Sequence, residues 1–222
     1  MRPPHPKPRP TRAAAGAYLA VVLIQPLLTY FDSYLALKEE EQAQLSRRVV
    51  ERRLKRRQLV LQQGDVCRHY TFVVAGCLKL YGVDKKGAEH ILQFAAESDW
   101  ISDIGSFHAE RPSQLYIEAI EPTVVLQLAK PDLIYLYRHY PKFDRNFRVI
   151  IENKFVELQQ RVLQNISSTA EERYRSFLSQ YPGLAHRLPN TQIAAYIGIT
   201  PEFLSKIRKG SAPDEPGSLK LG

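Results

Sequence analysis

The sequence predicts an α+β fold: an N-terminal antiparallel β domain, a long helix, and a C-terminal helix-turn-helix. Three observations carry this. The hydrophobic period is two from Arg53 to Leu128 and returns to the helical repeat at Asp132. Behind Pro141, apolar residues recur at three- and four-residue steps. From Asn190 to Lys209, a turn glycine, a helix cap, two apolar faces and a basic stripe agree in register.

Length and composition set the frame. The 222 residues suffice for one large domain or two modest ones. With 31 Lys and Arg against 23 Asp and Glu the net charge is +8, which favours a polyanion, nucleic acid or anionic lipid, as partner. Arg47 to Arg57, RRVVERRLKRR, reads as a solvated helix end running into a strand. Cys67 and Cys77 form no Cys-x-x-Cys and have no neighbouring histidine cluster, so no zinc or iron–sulfur ligand set is expected. They read as free thiols in a reducing cytoplasm, with a redox-sensing pair as the alternative.

Residues 1–12 are Pro-rich and basic, and Ala13 to Ile24 is apolar. That run falls short of the ~18 residues of a membrane span and is interrupted by Gln25 and Pro26. Residues 1–25 are therefore expected outside the fold. Leu27 to Leu45 has a helical pattern, with Leu27, Tyr30, Phe31, Tyr34, Leu35 and Leu37 on or near one side and Glu39, Glu40 and Glu41 in solvent. Short runs rich in Val, Leu, Tyr and Phe follow: QLVLQQGD, YTFVVAG, CLKLYGVDKKG, EHILQFAAESD, LYIEAIEPT and VVLQLAK. Turn signals separate them at Gly64-Asp65, Gly76, Asp84 with Gly87, Ser98-Asp99 and Glu121-Pro122, which predicts a closed or sandwiched antiparallel structure.

Pro131 opens a short helix from Asp132 to about His139, and Pro141 opens a long one to about Asn165. Phe147, Ile151, Phe155, Leu158 and Val162 form a stripe along it, continued by Ile166. The stripe suits a coiled-coil-like seam with a second copy, or packing on the chain's own β domain, or both. Ser168-Thr169-Ala170-Glu171 reads as a capping box for a helix from Glu171 to Gln180. Ile193, Ala194, Ile197 and Gly198 then suit the first helix of the pair. Thr200 caps the second and Pro201 takes its first position. Glu202, Ser205, Lys206 and Lys209 share one face of it, while Leu204 and Ile207 point inward. Such a helix fits the major groove: Glu accepts from cytosine N4, Lys reaches guanine or phosphate, and Phe203 meets a thymine methyl. Gly210 stops the helix.

This order of elements, with Gly64-Asp65, Phe72 to Gly76, Gly87, Asp99-Trp100, Pro112-Ser113, Ile117 to Ala119 and Ile193 to Lys209, resembles the Crp/Fnr family of bacterial transcription regulators over about residues 27 to 210. GITPEFLSKIRK with the upstream EERYRSFL is similar to the branch common in Bacteroidetes-type bacteria. The resemblance implies a jelly-roll-like β-roll sensor domain over 26–140, a dimerisation helix over 141–166, a helix-turn-helix DNA-binding domain over 167–212, and a flexible tail over 213–222. It implies a cytoplasmic homodimer on promoter DNA, with RNA polymerase as a further partner. It also places an effector pocket near Asp103, Ser106, Arg111, Ser113 and Gln114.

The chain departs from the family where a cyclic nucleotide would sit. The Gly-Glu pair for the ribose is replaced by Ser102-Asp103-Ile104-Gly105-Ser106, and Ser113-Gln114 stands where the phosphate arginine belongs. Without that guanidinium, cyclic AMP is not the expected effector. Pro201 occupies the place of a guanine-reading Arg in many relatives, so the same promoter sequence is not expected. No cofactor and no catalytic residue is expected: no histidine pair has the spacing of a cupin metal site, and no Ser/His/Asp set stands out. The competing readings are a ligand-binding module that signals without DNA and a cupin-type enzyme.

Overall fold

A computed structural model of the chain describes residues 23–210. The Pro-rich leader, most of the apolar stretch after it, and the tail expected at 213–222 lie outside the described residues. Helix α1 covers 23–32 and is followed by α2 (Glu39–Ser46). Eight strands then form two antiparallel sheets. The first runs β1 (Val49–Leu54), β8 (Thr123–Ala129), β3 (His69–Ala75), β6 (Trp100–Ile101); the second runs β2 (Leu59–Leu61), β7 (Tyr116–Ala119), β4 (Leu78–Val83), β5 (Glu89–Ala95). A short helix α3 (Ile104–Ala109) follows β6, and α4 (Lys130–His139) follows β8. This is the jelly-roll-like β domain of an α+β chain, carrying helices at both ends.

The apolar faces of both sheets share one core with the helices. Leu54, Phe72, Leu78, Ile101, Ile117 and Leu128 meet Leu27 and Phe31 of α1, Leu133 and Leu136 of α4, and Phe143 and Phe147 of the next helix, α5 (Pro141–Ser167). Gly76 makes the β3–β4 turn possible. Its φ is +96°, and a Cβ there would lie 2.5 Å from Thr123 Oγ1 and 2.7 Å from the Pro122 carbonyl oxygen. Only glycine combines that dihedral with so close a neighbour.

Several sequence expectations change. Ile24 is buried in the core, so the fold reaches back past the boundary expected at residue 25. The helix expected from Leu27 to Leu45 breaks at 33–38. There the Leu35 and Ala36 carbonyls accept from Asn146 and Lys142 of α5 at 3.0 and 2.8 Å, taking the place of intrahelical donors. Glu41 is buried rather than solvated: it meets Lys142 at 3.1 Å and accepts from the Lys38 N–H at 2.6 Å. Part of the basic run is strand β1, paired along its length with β8. This is the strand into which the basic helix end was read to run, although its sequence, VVERRL, has no regular apolar–polar alternation. The short β6 and α3 were unread, being too brief to show a period.

The C-terminal part comprises α6 (Ala170–Gln180), α7 (Asn190–Ile197) and α8 (Pro201–Gly210). The capping box sits one residue later than read. Thr169 Oγ1 accepts from the Glu172 N–H at 3.3 Å, and Glu172 accepts from the Thr169 N–H at 2.8 Å. Among the described residues no helix is long and apolar enough to cross a membrane.

Candidate nucleic-acid interface and effector cavity

Helices α7 and α8 form the helix-turn-helix, and local sequence fixes its turn. Gly198 takes φ 73°, ψ 41°, and ends α7 with its own N–H and that of Ile199 both directed at the Ala194 carbonyl, Ile199 at 3.0 Å. Thr200 Oγ1 accepts from the Phe203 N–H at 3.2 Å, capping α8. Leu204 and Ile207 are buried on the inner side, beside Ile193, Ala194 and Ile197. Arg208 donates to Asn190 Oδ1 and ties the two helices together.

The outward face separates the expected contact residues. Glu202, Phe203, Lys206 and Lys209 are exposed, Phe203 at 42% despite its aromatic ring. Thr200 is exposed but its oxygen is engaged as the cap. Ser205 is half-buried and donates to the Pro201 carbonyl at 2.9 Å. Pro201, also half-buried, fixes the first turn. The side chains free to reach a groove are thus Glu202, Phe203, Lys206 and Lys209.

The helix-turn-helix is seated on the second sheet. Tyr196 of α7 lies 5.2 Å, ring to ring, from Phe94 of β5, 5.6 Å from Phe177 and 5.8 Å from Tyr181. Arg161 of α5 joins three elements: its guanidinium donates to the carbonyls of Ile91 (2.5 Å), Leu92 and Tyr196 (2.9 Å) and stacks 3.9 Å over the Tyr196 ring. Burial without a carboxylate partner pulls its pKa below the usual arginine value. Arg187, in the α6–α7 connection, pairs with Glu97 at 2.9 Å and with Glu121. Those bonds hold its pKa above the usual value. Lys154 of α5 meets Asp99 at 2.8 Å; burial raises the Asp99 carboxyl, against the pull of Lys154. Sequence reasoning passed over Arg161 and Arg187, because a cation bonded to backbone carbonyls or distant carboxylates leaves no local pattern.

The expected effector residues divide likewise. Asp103 caps α3, accepting from the Ser106 N–H at 3.1 Å and from Ser113 Oγ at 2.6 Å. Ser106 Oγ donates to the Arg111 carbonyl at 2.6 Å and accepts from the Cys67 N–H at 2.9 Å. Ser106 and Ser113 are buried and their hydroxyls hold loops together. Arg111 and Gln114 are exposed. Of the five, only Asp103 lines the cavity of about 440 Å³ between β4, β5, α3 and α5. Its two cations, Lys154 and Arg161, are already bonded within the chain, so the residues present do not fit a cyclic phosphate.

The stripe on α5 splits at its middle. Phe147 was expected at a seam between copies, but it is 1% exposed and packs 5.3 Å from Trp100 and 5.6 Å from Tyr70 in its own core. Ile151 is half-buried. Phe155, Leu158 and Val162 are exposed, as are Leu163 and Ile166. Both cysteines are buried and free, so no bridge joins them. Among the described residues no group of three His, Cys, Asp or Glu stands ready to hold a metal ion.

Comparison with known proteins agrees with this arrangement. The cyclic nucleotide-binding domain family matches residues 51–140. The regulatory protein HlyX of Actinobacillus pleuropneumoniae is 23% identical over 184 residues, covering 77% of this chain and 75% of its own. The fumarate and nitrate reduction regulatory protein of Vibrio cholerae is 26% identical over 184 residues, covering 77% and 72%. Among solved structures, FixK2 from Bradyrhizobium japonicum superposes with a TM-score of 0.64 at 18% identity, covering 77% of this chain and 89% of that one. A transcriptional regulator assigned to the Crp/Fnr family from Eubacterium rectale gives 0.63 at 16%, covering 82% and 87%. The family match covers the β domain, the sequence relatives are named as regulatory proteins and the structural matches carry the fold; with the β-roll, the long helix and the helix-turn-helix in this order, the chain is similar to Crp/Fnr-type transcription regulators.

Proposed function

We propose that the chain is a homodimeric, DNA-binding transcription regulator that reads a pseudo-palindromic promoter site through α8. The observation carrying this reading is the division of α8 into a buried flank, Leu204 and Ile207, and an exposed face of Glu202, Phe203, Lys206 and Lys209. The net charge of +8 supports it, since phosphate neutralisation supplies much of the affinity for a duplex. Pairing through Phe155, Leu158 and Val162 would set two copies of α8 about one helical turn, ~34 Å, apart. Cytoplasmic residence and contact with RNA polymerase belong to the same reading.

Binding to a site selected from random DNA, measured across a salt series, tests it. Lys206→Ala should cost about 1–3 kcal/mol and relax preference at one base position, if the lysine reads a base edge. Lys86→Ala, in the exposed β4–β5 turn, should leave affinity unchanged. Equal losses in the two variants, or affinity that follows only phosphate charge, would refute sequence-specific reading by α8.

A further inference from the structure

We propose that the cavity of about 440 Å³ takes a neutral, largely apolar small molecule, and that its occupant bears directly on the seat of the helix-turn-helix. The second half rests on the DNA-binding reading above; the first does not.

The size is that of a site for a drug-sized molecule, within the range of about 300–1,000 Å³ typical of such pockets. Leu80, Leu92, Leu115, Ile151, Phe155 and Leu158 supply most of the wall. The charged side chains along it are two carboxylates, Asp103 and Glu157, and two cations, Lys154 and Arg161. All four are engaged within the chain. Lys154 lies between Asp99 and Glu157 at 2.8 and 3.0 Å, Asp103 accepts from Ser106 and Ser113, and Arg161 is bonded to three carbonyls. Lys154 is neutralised by its two carboxylates and Arg161 is committed to backbone carbonyls, while the Asp103 and Glu157 carboxylates beside them would repel an entering anion. A neutral molecule gains from apolar burial and breaks none of these bonds. The cavity thus departs from the ligand class that the family of its β domain names.

The far wall carries the coupling. Gln180, Tyr181 and Tyr196 line the cavity from the C-terminal helices, and Tyr196 donates to Gln180 Oε1 at 3.2 Å. Arg161 both lines the cavity and bonds the Tyr196 carbonyl. A molecule touching these residues has a different affinity for the seated and released positions of α7, and therefore shifts their populations.

Two matched dyes test the ligand class on the full chain. N-Phenyl-1-naphthylamine is neutral, and 1-anilinonaphthalene-8-sulfonate has the same rings with one negative charge. The neutral dye should bind once per protomer, the sulfonate at least about tenfold more weakly, and cyclic AMP should not displace either. Ile151→Trp and Leu115→Trp fill the cavity from two half-buried positions and should each weaken the neutral dye at least about tenfold. Circular dichroism and thermal melting check that they fold. Val50→Ser, 61% exposed on β1, should not change binding, which separates the cavity from general apolar surface. Saturating neutral dye should change the DNA dissociation constant at least about threefold. Equal or tighter sulfonate binding, displacement by cyclic AMP, or full affinity in a folded tryptophan variant would overturn the assignment. Unchanged DNA affinity would overturn the coupling. A chain that binds the dye as expected but no DNA would sink the regulator reading while leaving the ligand class standing.

Discussion

Two phenylalanines on one helix should fail in opposite ways. Phe155 is 58% exposed, so of the roughly 200 Å² a phenylalanine can bury, about 115 Å² stays in water. At about 25 cal/mol per Å², covering that surface is worth about 3 kcal/mol per protomer, and about 6 kcal/mol for a symmetric pair. Alanine recovers part of this; allowing it half leaves a loss of about 3 kcal/mol, or about a hundredfold in the dissociation constant of the proposed dimer. Protomer stability should hardly change. Phe147 is 1% exposed among Phe31, Tyr70, Trp100 and Tyr137, so Phe147→Ala opens a core cavity and should cost about 3–5 kcal/mol of unfolding free energy. Sedimentation over a concentration series reads the first effect, and urea unfolding extrapolated to the isolated protomer reads the second. The reasoning fails if Phe155→Ala keeps the parent dimer affinity, or if Phe147→Ala weakens pairing while leaving stability intact.

Two glycine turns differ in the same way. At Gly87, φ is +82° with nothing within 4 Å of an added Cβ, so alanine should cost only backbone strain, about 1–2 kcal/mol. Gly76→Ala adds contacts of 2.5 and 2.7 Å with Thr123 and Pro122 and should exceed about 3 kcal/mol; equal unfolding midpoints for the two variants would contradict the turn geometry. Cys77 gives a signature in alkali. Burial, aided by the Glu121 carboxylate, pushes its thiol from 9.0 up to about 12. Below the unfolded value the thiol is protonated in both states and its contribution is fully present. As pH rises from there to about 12 the unfolded chain ionises first and that stability is lost. The difference in stability between the parent and Cys77→Ala should therefore change between pH 8 and 11, and parallel profiles would place the thiol near solvent.

What was legible in the sequence is what adjacent residues decide. Gly198, Thr200 and Pro201 fix a turn and a helix start by backbone preference alone, and the Leu204/Ile207 spacing orients the helix that follows. The six expected runs each contain or overlap one of the strands β2, β3, β4, β5, β7 and β8, because short runs rich in β-branched and aromatic residues between turn signals mark strands, even where β3, β4 and β8 are buried almost continuously. Less was legible where a long-range partner overrides the local pattern. The helix expected through Leu45 stops at 33–38 because Asn146 and Lys142, over a hundred residues away, take its carbonyls. Ser106 and Ser113 looked available to a ligand but are used as loop struts.

By itself, then, the sequence determined the order of elements and the face α8 turns outward, since each follows from residue type and local spacing, while the missing phosphate arginine followed from the family resemblance. Tertiary structure alone decided that Phe147 belongs to the core and Phe155 to the surface, that Arg161 joins α5, β5 and α7, and that both cations lining the cavity beside α5 are bonded within the chain. Periodicity records which side of a helix is apolar. Which stretch of that side meets its own domain, and which charges find partners, depends on the packing of elements distant in the chain.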